Sequence, residues 1–198
     1  MQAKKDSKTI GLYFGSFNPI HIGHLLVATH TREAAQLDEV WFIVSPQNPF
    51  KLNSDLTDEQ HRLNMVQLSI QHVDYFKASN IEFNLPKPSY TYITLQQLQE
   101  KHPEHTFKLI IGEDNVAKFD NWKEVQWIKD NFEILVYNRQ TNNSENTFIH
   151  NTSFTILKLP MLDISSTAIR KRIKEEKIIT FFTSNNVEKY IKENNLYK

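Results

Sequence analysis

Cysteine is absent from the 198 residues of the chain, which excludes disulfides and cysteine-ligated metals and fits a reducing compartment. Net charge is absent as well, since 23 basic residues balance 23 acidic ones. No global pull toward nucleic acid is expected, although local basic clusters remain open. No uninterrupted apolar run approaches the ~20 residues of a membrane span. The charged start MQAKKDSK is not followed by the apolar segment of a secretory signal. Together these absences predict a soluble, cytoplasmic protein with neither nucleic acid nor membrane as partner. What is present, 39% hydrophobic and 23% charged residues, is ordinary for a globular domain long enough to bury a core.

Along the chain, apolar runs of strand length alternate with helical patterns. The strand candidates are residues 10–14, 40–45, 75–78, 107–111, 132–137 and 154–157. The helical stretches are 24–36, 58–71, 91–101, 122–129, 166–176 and 186–194, the second opening on a capping box at Thr57-Asp58-Glu59-Gln60. Such alternation predicts a doubly wound parallel sheet with helices on both faces, in one domain over 1–198. VWFIV, KLIIG and FEILVY are largely apolar, as expected of strands buried on both faces. Two stretches interrupt the rhythm: 80–92, with two prolines, and the asparagine-rich 138–153. Ligands of such sheets lie beyond the carboxyl ends of the strands, so the loops after strands one, two, four and five are where function is sought.

The loop after the first strand reads GSFNPIHIGH, residues 15–24. Gly15 and Ser16 permit a sharp turn, Pro19 stiffens it, and the helix mouth that follows attracts anions. Gly23 leaves room for a phosphate to approach the backbone. His21 and His24, three residues apart, share a face of the first helical turn and could donate to oxygens gaining charge. A pair of merely capping histidines, or a metal-binding pair, would have the same spacing. Much later, ISSTAIRKRI (164–173) places a serine cap, Thr167 and Arg170 on one side of another helix mouth, with Lys171 and Arg172 adding charge. Alone, that stretch also describes a plain capped basic helix.

Taken whole, GSFNPIHIGH resembles the Gly-[Ser/Thr]-Phe-[Asp/Asn]-Pro-x-His-x-Gly-His motif of nucleotidylyltransferases of the nicotinate/nicotinamide mononucleotide adenylyltransferase family, whose fold is Rossmann-like. Phe14 and Asn18 stand where glycine and aspartate are commoner. ISSTAIR resembles the element that holds the triphosphate in the same family, within a C-terminal helical element at 164–198. The resemblance implies an ATP site at Gly15, Ser16, Phe17, His21, His24, Gly112, Asp114, Ile164, Ser165, Ser166, Thr167 and Arg170. PSYTYITL (88–95) is similar to the stretch whose amides, around Tyr90 and Thr91, face the nicotinate carboxylate in the bacterial nicotinate branch. In GEDNVAKFDNW, Trp122 would stack on the pyridine ring, while Trp127 reads as core. Asn48, Lys51 and Arg139 complete the implied substrate contacts, with Phe50 replacing a usual histidine beside Lys51.

The implied reaction moves AMP from ATP to nicotinate mononucleotide, giving deamido-NAD and pyrophosphate. A phosphate monoester with a second pKa of about 6 is already an anion at neutral pH, so no general base is needed. Catalysis then falls to His21, His24, Lys51 and Arg170, with Mg²⁺ held by the phosphates rather than by protein ligands. Three rivals remain: pantetheine-phosphate adenylyltransferase, an enzyme preferring the amidated mononucleotide, and a nucleotide-binding module without catalysis. The HIGH tetrad also matches class I aminoacyl-tRNA synthetases, but 198 residues leave little room for a tRNA-binding region.

Overall fold

The structure is a computed structural model that describes residues 6–47, 56–137, 154–157 and 162–198. Its frame is a six-stranded sheet formed by β1 (Thr9–Gly15), β2 (Glu39–Val44), β3 (Phe76–Ser79), β4 (Thr106–Gly112), β5 (Glu133–Tyr137) and β6 (Phe154–Leu157). The order is β3-β2-β1-β4-β5-β6, and every pairing is parallel. Among the described residues seven α-helices connect or follow the strands: α1 (Ile22–Ala34), α2 (Glu59–Ile70), α3 (Thr91–Lys101), α4 (Glu113–Val116), α5 (Val125–Asn131), α6 (Ser166–Lys174) and α7 (Asn185–Glu193). This is the doubly wound, Rossmann-like arrangement that strand–helix alternation predicts.

The apolar strands fill two cores by alternation. Tyr13, Val40, Phe42, Val44, Ile110 and Leu135 face one side, where Val27 and Ala28 of α1, Leu63 and Val66 of α2, Ile169 of α6 and Ile191 of α7 meet them. Ile10, Leu12, Ile43, Leu109, Ile111 and Ile134 face the other, against Leu95 and Leu98 of α3 and Ile128 of α5. With helices on both faces, the central strands β1, β2, β4 and β5 are buried along most of their length, which is why the sequence shows runs instead of alternation.

Local chemistry shifts several expected boundaries. The N-cap of α2 is Asp58, whose side chain accepts from the Gln60 amide, so the expected box at Thr57 is not the one formed. Thr91 is the first helical residue of α3 and Tyr90 its N-cap, so Thr91 does not cap that helix. The helix expected from Trp122 begins only at Val125, because Glu124 adopts a left-handed backbone (φ 54°) ahead of it. Trp122 is thereby released into a loop. Within the 80–92 stretch, Ile81–Asn84 forms a short 3₁₀ turn.

Candidate active site at the strand-end cleft

Strand order reverses between β1 and β4, and a cavity of about 490 Å³ opens beyond their carboxyl ends. Tyr13, Gly15 and Ser16 line it from the first strand and loop, and Ser45 and Gln47 from beyond β2. Glu82, Ser89, Tyr90 and Thr91 close it before α3. Gly112, Asn115, Asn121, Trp122, Lys123 and Tyr137 supply the far wall. At Gly112 a Cβ would lie 2.5 Å from Asp114 Oδ1 and 3.0 Å from the Tyr137 hydroxyl, so glycine lets these groups converge on the strand end. Asp114 itself is exposed.

The phosphate-type loop leaves β1 through Phe17, whose φ of 46° turns the chain back on itself. The Phe17 ring is 2% exposed and lies beneath Gly15, where an added Cβ would meet it at 2.7 Å. It also meets the His24 ring nearly at right angles (76°), with centroids 5.1 Å apart. The Phe17 side chain therefore sits in the core, as a prop for the loop.

His21 is the N-cap of α1 and is 4% exposed; His24 stands one turn on, half-buried. Their rings stack at 3.7 Å. The His21 amide donates to His24 Nδ1 at 3.2 Å, half of a reciprocal capping box. With Nδ1 accepting, the neutral His24 ring carries its proton on Nε2, the tautomer able to donate to an oxyanion. Gly23 has a use that spacing does not reveal: a Cβ there would lie 3.0 Å from His21 Nδ1 and crowd the stacked ring.

The late motif docks directly onto this loop. Ser165 caps α6 by accepting from the Ala168 amide, and Ser166 Oγ donates to the Pro19 carbonyl at 2.9 Å. Arg170 Nη1 donates to the Asn18 carbonyl at 2.8 Å, and Nη2 reaches Thr167 Oγ1 at 3.5 Å. The Ile164 carbonyl lies 3.9 Å from the Gly23 Cβ position. Two stretches nearly 150 residues apart thus meet at one helix mouth. Asn48, Lys51 and Arg139 lie outside the described residues.

Three functional positions escaped sequence reasoning. Arg62, 1% exposed, donates to four backbone carbonyls: Ser16 at 2.7 Å, Ser45 at 2.6 Å, Pro46 at 3.0 Å and Thr57 at 2.8 Å. Burial pulls its guanidinium below its ordinary pKa. The spacing Arg62, Val66, Ile70, one buried face of α2, was the available signal. Tyr197 donates to Asn18 Oδ1 at 2.9 Å, and burial pushes its phenol up to about 12, so it remains a donor at neutral pH.

Glu82 is the third, 2% exposed at the cavity wall. It accepts from Thr94 Oγ1 at 2.7 Å and Ser89 Oγ at 3.0 Å. Burial pushes its carboxyl above the ordinary 4.5, against the pull of hydroxyls from Thr94, Ser45 and Ser89. Nearby, Lys123 Nζ lies 4.8 Å over the Tyr90 ring, and Trp122 leans on Phe119 with centroids 5.0 Å apart.

Residues 12–172 match the model of the cytidylyltransferase-like family. The chain belongs to that family. Among relatives of this cytidylyltransferase-like chain, "Probable nicotinate-nucleotide adenylyltransferase" of Flavobacterium johnsoniae is 46% identical over 190 residues, covering 96% of this chain and 98% of the relative. A Bacteroides thetaiotaomicron protein of the same description is 41% identical over 96% of this chain and 94% of its own. Among solved structures, Plasmodium falciparum nicotinic acid mononucleotide adenylyltransferase complexed with NaAD superposes with a TM-score of 0.81. It is 24% identical and covers 96% of this chain and 97% of its own, a likeness of fold.

Proposed function

We infer that the chain is a nicotinate-nucleotide adenylyltransferase, joining ATP and nicotinate mononucleotide into deamido-NAD with release of pyrophosphate. The observation that carries this reading is the cleft's two-ended character. Gly15 and Ser16, which lead into the loop of the stacked His21 and His24, line it from the end of β1, and Tyr90, Thr91 and Trp122 line it from the start of α3 and the segment after β4. The near-full-length likeness to relatives of that description supports it.

The attacking oxygen belongs to the mononucleotide 5′-phosphate. Its bond to the α-phosphorus of ATP forms as the bond to the β-phosphate oxygen breaks, and no proton need be removed at neutral pH. The protein's work is alignment and charge stabilisation. His24, donating through Nε2, and His21 behind it serve the α-phosphate and the departing pyrophosphate. Ser165, Ser166 and Thr167 present the mouth of α6 to the triphosphate, and Arg170 braces the loop while its remaining donors face the same anions. Lys51 and Arg139 add positive charge from the loops after β2 and β5, and Asn48 adds a polar contact. Gly112 and Asp114 accompany the ribose. Trp122 stacks on the pyridine ring, and amides at Tyr90 and Thr91 read its carboxylate.

Hydroxyls, amides and imidazoles dominate this donor set, with Asp114 as the exposed carboxylate at the strand end. That composition would suit Mg²⁺ brought in on the phosphates with water, and Asp114 is the carboxylate that would help to hold it. When bound, the ion neutralises phosphate charge. Residues 164–198 act with the sheet as one nucleotidyltransferase unit, supported by the bonds of Ser166, Arg170 and Tyr197 to the first loop. Among the described residues no helix is long and apolar enough to cross a membrane, and we assign the enzyme to the cytoplasm.

A pyrophosphate-release assay with ATP and nicotinate mononucleotide, nicotinamide mononucleotide or phosphopantetheine tests the assignment. The highest kcat/KM is expected with nicotinate mononucleotide. Release with phosphopantetheine alone, or ATP binding without any release, would overturn it.

A further inference from the structure

At the end of β4 opposite the cleft, the turn from α3 reads His102-Pro103-Glu104-His105. His102, Glu104 and His105 each offer one ligand atom, and the three atoms lie within 4.8 Å of one another. His105 Nε2 is 3.9 Å from Glu104 Oε1, and the two side chains are only 13% and 18% exposed. The imidazoles of His102 and His105 are parallel to within 6°, with centroids 5.7 Å apart. Trp41 of β2 meets both rings nearly at right angles, at 5.2 and 6.4 Å, so an indole wall holds the pair in place. The His105 Nδ1 atom is buried and has no hydrogen-bond partner among the described residues. A second cavity of about 400 Å³, lined by Trp41, Lys101 and His102, adjoins the cluster.

We propose that His102, Glu104 and His105 form a binding site for one divalent transition-metal ion of the zinc class. Two imidazoles and a carboxylate are the donors that zinc takes when a fourth position is left for water, here on the side of the adjoining cavity. Bonds of about 2.1 Å place tetrahedral donors about 3.4 Å apart, so separations of up to 4.8 Å must close by as much as about 1.4 Å through side-chain rotation. The backbone is already set: the His105 amide donates to the His102 carbonyl at 3.0 Å, and the Thr106 amide to Lys8 at 2.8 Å. A cation here also lies at the C-terminus of the 11-residue α3, the negative end of its dipole. Magnesium and calcium, which favour all-oxygen shells, do not suit two imidazoles.

The test uses the untagged full-length chain and ZnCl₂ in isothermal titration, with Co²⁺ absorption as a second reading. One saturable Zn²⁺ per chain and a tetrahedral Co²⁺ spectrum are expected. His102→Gln and His105→Gln should each weaken binding about tenfold or more. Thermal unfolding with and without Zn²⁺ should show a metal-dependent rise in Tm that both variants lose. If either histidine variant folds poorly, Glu104→Gln provides the same comparison. Absence of saturable uptake by the wild-type chain, or unchanged uptake in the variants, would overturn the site. So would loss of uptake on His21→Asn/His24→Asn, which places the ion on the other histidine pair. Because the metal alone is the probe, adenylyl transfer need not be assayed.

Discussion

At the phosphate end of the cleft, groups distant in sequence hold one another: Ser166 with Pro19, Arg170 with Asn18, and Tyr197 with the same Asn18 through its side-chain oxygen. At the pyridine end, Glu82 gathers Ser89 and Thr94 from its own stretch of chain, and the Ser45 hydroxyl joins them from beyond β2. The first arrangement exists only when the whole sheet has assembled, so its donors are fixed before a nucleotide arrives. The second is a mostly local fold around one buried carboxyl. Its shape can be altered without unlacing the phosphate site, which suits a part of the cleft that selects the second substrate.

The largest expected effect tests the phosphate end directly. His24→Ala should lower kcat by about 10²–10³, the usual loss for one preorganised oxyanion donor, while Tm stays close to wild type. Near-normal turnover would end the assignment of charge stabilisation to this ring. Arg62→Ala strikes the scaffold beneath it. It strands four carbonyl acceptors and leaves a void, so urea unfolding should register a loss of about 3 kcal/mol or more. A loss confined to a few tenths would mean that water replaces the guanidinium, and the picture of a fixed phosphate end would fail.

The pyridine end should respond more gently. Trp122→Ala should raise KM for nicotinate mononucleotide by roughly two- to tenfold, the equivalent of about 0.5–1.5 kcal/mol of stacking, and leave KM for ATP alone. A change confined to ATP would reverse the orientation of the two substrates. The smallest effect concerns pH. Because the folded pKa of Glu82 lies above its ordinary 4.5, its contribution to stability is fully present below that value and fades as pH rises through the folded one. Glu82→Gln has no proton to lose, so its stability relative to wild type should improve as pH climbs from about 4.5. A difference that stays constant with pH would show that the carboxyl ionises in the protein as easily as in water.

How much of this was legible in the sequence follows from what each feature depends on. The sheet was readable because strands buried on both faces must be apolar runs, and KLIIG and FEILVY are such runs. The two helix mouths were readable because small, capping and basic residues stand there at fixed spacing. The buried position of the Phe17 ring was not readable because a motif identifies a residue without saying whether its backbone or its side chain matters; the left-handed turn sends the ring inward. Glu82 was silent because an acidic residue in a loop ordinarily points to water, and only three-dimensional closure surrounds it with hydroxyls. Trp122 was placed in a helix by pattern and in the cavity by resemblance. The left-handed Glu124 decides for the second.

Arg62 carries a consequence for how the chain tolerates change. Its hydrogen bonds reach the main-chain oxygens of Ser16, Ser45, Pro46 and Thr57, and every amino acid has such an oxygen. As far as this anchor is concerned, the loops around the cleft are free to exchange side chains, and so to drift in substrate preference, without losing their shape. The freedom is one-sided: two loops and a helix start share a single guanidinium, and position 62 is where substitution should be least forgiven.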